Sequence, residues 1–456
     1  MLGAVGVSGV VCALLLHEPG WPREAALMSG IFVLAALLWM TEALPLFATA
    51  LLVIGLEIVL LANPGGWAGL GYSSGESPSY NEILAAAADP VLMLFFGGFL
   101  LARAAVKEGV DRAMSSVLLR PFGGRPMLVV LGLMLVTALF SMWMSNTAAA
   151  TMMMTLLVPM LAQVPRDDPF RKLLVLAVPF SANIGGIGTP IASPPNAVAI
   201  GFLQKAGFRI GFLEWMIVAV PLMLGLLVFA WLLLWQLFRP AACSLRIEHA
   251  SERLTARGWF VAGTFTITVA LWMSEPWHGL PAAVVALLPA VVFTATGLLD
   301  RTDVNNLQWN ILILIAGGIA LGAGMQMTGL DQMIVKWLPS GGGVAVALVA
   351  ILVAVTMALS TFISNTAAAN LLLPIGISSA SALGAGAAVH VAVSIALAAS
   401  MSMALPVSTP PNTIAYSTGE ITTRDMAMTG AVVGAFAALL IVLFGGPVMR
   451  FWAIAR

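Results

Sequence analysis

The hexapeptide Ser145-Asn146-Thr147-Ala148-Ala149-Ala150 returns later in the chain as Ser364-Asn365-Thr366-Ala367-Ala368-Ala369. Each copy sets two hydroxyls and one carboxamide in apolar sequence, with no Lys, Arg, Asp or Glu within ten residues of either triad. Carbonyls, hydroxyls and an amide oxygen are hard ligands that suit Na⁺ far better than a transition metal. The same Asn side chain can turn its oxygen to a cation and its nitrogen to an anion. Ser141 and Ser360 stand four residues before the triads, one helical turn away, and add a hydroxyl oxygen to each. An anion bound here meets no formal positive charge. Helix dipoles and co-bound cations must neutralise it, so the residue types themselves point to cation-coupled handling of an anion.

Positioning such triads requires interrupted helices. In hydrocarbon each unsatisfied polar group costs several kcal/mol, so the economical arrangement is a re-entrant hairpin: a short helix in, a polar tip, a short helix out. The expected hairpins are 126–163 and 343–379, with limbs of roughly 12 to 18 residues, short of the ~20 that span a bilayer. At a tip the ending helix offers carbonyls to a cation and the starting helix offers amides to an anion. Two broken helices supply the other walls. One is expected over 172–206, interrupted from Gly185 to Asn196, and one over 388–418, interrupted from Pro406 to Asn412, because Gly-Gly-Ile-Gly-Thr-Pro and Pro-Pro cannot continue a helix.

Composition sets the class. A chain of 456 residues that is 60% hydrophobic and 9% charged, with a mean hydropathy of +1.01, is not a soluble globular protein, whose charged fraction is about 25%. Long apolar runs make it an all-α polytopic membrane protein rather than a barrel. Lys plus Arg equal Asp plus Glu at 20 each, so charge indicates no nucleic-acid partner. Cys12 and Cys243 read as free thiols, neither paired nor ligating. With no titratable group near the triads, an enzyme is excluded and no cofactor is implied.

Hydropathy places spans at 2–16, 25–41, 43–62, 90–106, 213–238, 258–275, 280–299, 309–327 and 428–454, which with the two broken helices gives eleven crossings plus two hairpins. Amphipathic stretches are expected at 107–125 and 330–338, and 63–89 as an acidic outside loop. Trp39-Met40-Thr41-Glu42 returns as Trp272-Met273-Ser274-Glu275, Gly97-Gly98 as Gly317-Gly318, and Gly109-Val110-Asp111 as Gly329-Leu330-Asp331. Ser193-Pro194-Pro195-Asn196 returns as Ser408-Thr409-Pro410-Pro411-Asn412 with one extra residue. The chain therefore divides into a first helix (1–24), a first unit (25–238), a cytoplasmic linker (239–257) and a second unit (258–454). Five crossings per unit is odd, so the second copy is inverted, a transporter signature with the site where the copies meet. With the amino terminus in the cytoplasm and the carboxy terminus outside, fourteen of the twenty Lys and Arg fall inside.

Blander readings accompany these. Hydroxyls and Asn can simply glue packed helices together, and Pro-Pro can be an ordinary kink. Glu42 and Glu275 read as snorkelling or scaffold contacts, Glu57 as an interface residue, His390 as a packed neutral ring, Met152 to Met154 as packing, and Arg103 as reaching the headgroups.

Paired Ser-Asn-Thr triads with a Pro-Pro-Asn break downstream of each resemble the divalent anion/sodium symporter family of dicarboxylate, citrate and sulfate carriers, over essentially the whole chain. The resemblance implies a homodimer in a bacterial inner membrane, each copy with a scaffold domain and a transport domain that moves like an elevator. It implies one Na⁺ at Ser141, Ser145, Asn146, Gly188 and Ala192, and another at Ser360, Ile363, Asn365 and Ser408. Substrate contacts are implied for Ser145, Asn146, Thr147, Pro195, Ser364, Asn365, Thr366, Thr409 and Pro410. Complete triads in both copies are similar to the bacterial dicarboxylate carriers, which favours a C4-dicarboxylate over citrate or sulfate. An exchanger independent of Na⁺ and an anion channel are the rival functions.

Overall fold

The computed structural model of the chain describes residues 1–74, 77–123, 125–240, 253–335, 344–381 and 383–451. Every regular element among them is helical. Five stretches are long and apolar enough to cross a bilayer by length and composition: Arg23–Thr41, Tyr80–Lys107 (two successive helices, Tyr80–Ala87 and Val91–Lys107), Phe212–Leu237, Trp309–Met327 and Thr423–Met449. The other expected spans are shorter or divided. The stretch expected as one span over 280–299 is split into Ala282–Val285 and Leu287–Ala295, since Pro289 has no N–H to donate to Val285. Leu46–Glu57 ends in a wider turn over Ile58–Ala62. Part of the expected outside loop is itself a helix, Tyr80–Ala87. Its start is a capping box, with the Ser79 hydroxyl accepting from Asn81 N–H and Glu82 accepting from Ser79 N–H. Most of the 239–257 linker, with Cys243 and His249, and residues 336–343 lie outside the described residues.

The recurring motifs do recurring jobs. Trp39 and Trp272 are both buried, and their indole N–H groups donate to Leu46 O (3.1 Å) and Ala282 O (2.9 Å), tying each helix to the start of the next. Gly97, on Val91–Lys107, leaves no room for a Cβ against Ala286, and Gly317, on Trp309–Met327, leaves none against Ala50. Each half of the sequence thus sends a helix into the other. Glu57 is buried against Gly324 of the same Trp309–Met327 helix.

Ion pairs bind the two halves at their polar ends. Arg103 donates to Asp303 (2.9 Å), and Lys107 donates to Asp303 as well, so Arg103 is held by a carboxylate of the other half rather than extending to headgroups. Burial alone would raise the Asp303 carboxyl. Hydrogen bonds from Lys107, from the Asp300 N–H and from Arg103 instead hold it down at about 2. Arg171 forks onto Glu420, which lowers that carboxyl, and Lys172 reaches Asp425 at 3.0 Å. His390 packs against Gly445 and Gly446, and Met152, Met153 and Met154 are buried.

Candidate functional site

Both triads sit at the turn of a helical hairpin. The first is Pro126–Ser141 followed by Asn146–Leu161, and the second is Val344–Phe362 followed by Asn365–Ser381. Ser145 and Ser364 cap the outbound helices, their hydroxyls accepting from Ala148 N–H (3.3 Å) and Ala367 N–H (3.1 Å). Capping of this kind fixes where the helix starts, and the N–H groups of its first residues have no intrahelical acceptor.

One turn before each tip the geometry repeats, partner for partner. Ser141 Oγ lies 2.7 Å from Asn146 Oδ1 and 2.7 Å from Ala182 O. Ser360 Oγ lies 2.7 Å from Asn365 Oδ1 and 2.7 Å from Ala399 O. A hydroxyl has one proton, so with the amide oxygen turned inward three oxygens converge on a single hydrogen in each nest. Such a cluster suits a hard monovalent cation. Gly186 leaves too little room for a Cβ beside Asn146, which lets the broken helix come this close to the first tip.

The broken helices are Phe170–Gly185 with Pro194–Lys205, and Ala385–Ser400 with Pro410–Ser417. Sequence reasoning made Pro-Pro-Asn part of the interruption. In the structure it starts the second segment, because a helix's first residues need no N–H partner and proline's fixed φ suits that position. The preceding residues, Ser193 (φ −143°, ψ 138°) and Thr409 (φ −144°, ψ 147°), have matching backbones. Thr409 is therefore the counterpart of Ser193, and the expected extra residue belongs to the preceding loop. Asn196 donates both amide protons to Gly186 O (2.9 Å) and Thr189 O (2.8 Å), and Asn412 donates both to Met403 O and Leu405 O (2.9 Å each). These two Asn side chains hold the breaks open. The breaks also meet each other: Asn183 Nδ2 donates to Thr409 Oγ1 at 3.1 Å, and Ser193 Oγ lies 3.2 Å from Ser400 Oγ.

All four helix starts face one cavity of about 480 Å³. Its lining includes Ser145, Asn146 and Thr147, then Ser364, Asn365 and Thr366, and also Pro194, Thr409 and Pro410, with no charged side chain among the lining residues. Converging helix starts favour an anion by about 0.3 to 2 kcal/mol each. The two kinds of start differ. The hairpin helices present N–H donors, whereas Pro194-Pro195 and Pro410-Pro411 contribute a dipole without them.

Of the expected residues, Ala192 and Ser408 also line the cavity, and Ser408 donates to Thr361 O at 2.9 Å. Pro195, Gly188 and Ile363 are not in the lining. Pro195 is buried in its helix, Gly188 packs against Met142 and Met223, and Ile363 is buried with the apolar cluster around Leu314. The lining further holds Asn183, Phe95, Phe99, Pro45, Gln308 and Asn310, none of which the sequence singled out. They lie on ordinary apolar helices or at their starts and carry no repeated motif.

Residues 3–454 match the family described as the sodium:sulfate symporter transmembrane region. The chain is 31% identical over 459 residues to an uncharacterised transporter of Schizosaccharomyces pombe, covering 97% of this chain and 52% of that protein, so it spans about half the length of that relative. It is 32% identical to the inorganic phosphate transporter PHO87 of Saccharomyces cerevisiae, covering 75% of this chain and 37% of that one. It is 29% identical to the sodium-dependent dicarboxylate transporter SdcS of Staphylococcus aureus, covering 94% of this chain and 87% of that one. Among solved structures the YdaH transporter of Alcanivorax borkumensis shares the fold, with a TM-score of 0.58 at 15% identity over 92% of this chain and 100% of that chain.

Proposed function

The chain belongs to the sodium:sulfate symporter family, and on that premise we propose that it is a secondary carrier that moves a C4-dicarboxylate such as succinate or malate together with Na⁺. Family membership makes it a multi-pass membrane transporter and not an enzyme. One observation carries the finer reading: both triads and both Pro-Pro helix starts line one uncharged cavity with an oxygen nest beside each tip.

In this reading Na⁺ occupies the nest of Ser141, Asn146 and Ala182 O and that of Ser360, Asn365 and Ala399 O. The cations draw the Asn oxygens and order the tips, and the free N–H groups of the outbound helices then take the carboxylates. Without cations an anion's charge faces only dipoles, so solute enters with Na⁺. The hairpins are re-entrant, the halves are inverted copies, and the loaded hairpins with their broken helices translate as an elevator against a scaffold that dimerises. With the amino terminus cytoplasmic, the cavity end at Pro45 and Gln308 is the inner one, and the described state faces inward. The carrier resides in the bacterial inner membrane.

Proteoliposomes with an inward Na⁺ gradient should accumulate radiolabelled succinate, and replacing Na⁺ with K⁺ should abolish accumulation. Asn146→Ala and Asn365→Ala should each remove uptake, and unchanged uptake in either would refute the site. Uptake that ignores Na⁺ but requires internal dicarboxylate would establish an exchanger, and conductance without accumulation a channel.

A further inference from the structure

A second cavity, of about 410 Å³, lies behind the first. Its lining includes Pro90 and Val91 at the start of Val91–Lys107, Gln204 near the end of Pro194–Lys205, Arg209 beyond it, and Glu275. The far end of Val91–Lys107 belongs to the other face of the molecule, because Lys107 pairs with Asp303, just before Gln308 at the rim of the central cavity. The second cavity is therefore the outer one. Gln204 and Arg209 are exposed and keep its rim wet. Inward from that rim the two cavities nearly meet. Along Val91–Lys107, Val91 and Leu94 line the outer cavity and Phe95 and Phe99 the central one. Along the first break, Pro190 lines the outer cavity and Ile191, Ala192 and Ser193 the central one. At both places the lining passes from one cavity to the other between consecutive residues, whose Cα atoms are ~3.8 Å apart, so the wall is one layer of side chains.

Ile191 completes that layer by lying across Gly98. A Cβ on Gly98 would meet Ile191 Cδ1 at 3.4 Å, Cβ at 3.5 Å and Cγ2 at 3.6 Å, so the Ile side chain rests where the helix has no side chain of its own. Leu94, Phe95 and Ile191 are buried and wholly apolar. Such a layer bars water by dewetting, and it bars an anion because stripping a charge of its hydration is costly. We propose that the outer cavity is the external mouth of the transport path, and that Ile191, packed on Gly98 with Leu94 and Phe95, is the plug that closes this mouth from the anion site. The proposal rests on the reading of the central cavity as that site and of its Gln308 end as the inner one. Without the plug the two cavities join, and solute crosses without a Na⁺-driven cycle.

The test uses the full chain in proteoliposomes preloaded with radiolabelled succinate, with Na⁺ absent from both sides so that the coupled cycle is idle. The unaltered chain should hold its load. Ile191→Ala, which keeps the backbone and removes the plug, should speed efflux at least about tenfold, a barrier lower by about 1.4 kcal/mol. Ile191→Leu, which keeps the bulk, should stay tight. Efflux from Ile191→Ala no faster than from the unaltered chain overturns the plug. Should Ile191→Ala not fold, Phe95→Ala opens the same layer from the other side and is read in the same way. The mouth is tested by adding Gln204→Cys to the leaking variant. A bulky methanethiosulfonate present on both sides should then stop the leak, while leaving the leak of Ile191→Ala alone unchanged. A leak that survives this modification, or a block that needs no added thiol, overturns the outer cavity as the mouth. If the unaltered chain fails to accumulate succinate on an inward Na⁺ gradient, the carrier reading itself falls, a different outcome from a tight Ile191→Ala in a chain that does accumulate it.

Discussion

The two hairpins have the same tip and different surroundings. Ser-Asn-Thr, the capping Ser and the oxygen nest match residue for residue, yet the outbound limbs diverge at once, Thr151 standing where the second hairpin has Asn370. Asn370 is fully buried and donates to Leu314 O (3.3 Å), its side chain filling the space left by Gly318 on Trp309–Met327. Thr151 is exposed and merely folds back onto Thr147 O. The corresponding Gly98 meets only Ile191, at ordinary contact distance. Chemistry at the tips is shared, but the second hairpin is docked through Asn370 on Trp309–Met327, and Thr151 of the first makes no such contact.

Substitutions at paired positions test that contrast. The largest effect belongs to the Asn residues that hold the breaks. Asn412→Ala leaves the Met403 and Leu405 carbonyls unpaired and also takes away the acceptor of the buried Asn183 amide, and should cost roughly 3 kcal/mol or more. Asn196→Ala loses only its own two bonds and should cost less, as read by thermal unfolding in detergent. Next comes the glycine pair. Gly318→Ala forces a methyl into Asn370 and should destabilise by about 1 to 3 kcal/mol, whereas Gly98→Ala should be near neutral. Equal effects of the two would show that the docked state is not the populated one. Smaller again, Asn370→Ala should cost about 1 kcal/mol and raise the accessibility of a cysteine introduced on the second hairpin, while Thr151→Ala should change neither. The smallest effect is on pH dependence. Asp303 has a depressed folded-state pKa, so its contribution to stability is complete above the ordinary carboxylate range and is lost as pH falls through about 2. Asp303→Asn should remove that acid limb, visible as a flatter melting temperature profile below pH ~4.

Much of this was legible from residue order alone, and for a physical reason. A polar hexapeptide in apolar sequence has few structural solutions, and its duplication fixes which segments correspond. The helix Trp309–Met327 matches its expected bounds because nothing interrupts the apolar run. Proline misled where it acts at a helix start instead of an end, as at Pro194 and Pro410. Arg103 misled because its acceptor, Asp303, is 200 residues away. Asn183 and Gln308 gave no signal, since one is an Asn in a buried helix with no repeated counterpart and the other precedes an unremarkable apolar run.

The glycine crossings at Gly97 and Gly317 have a consequence for how the chain is made. Val91–Lys107 finds its partner, Ala286, only after some 190 further residues have left the ribosome, and the helix carrying Ala50 must likewise wait for Gly317. The first half therefore enters the membrane with these two close contacts unmade until the second half arrives. Nonsense alleles truncated near the middle should leave no stable remnant, and two separately encoded halves should accumulate only when produced together.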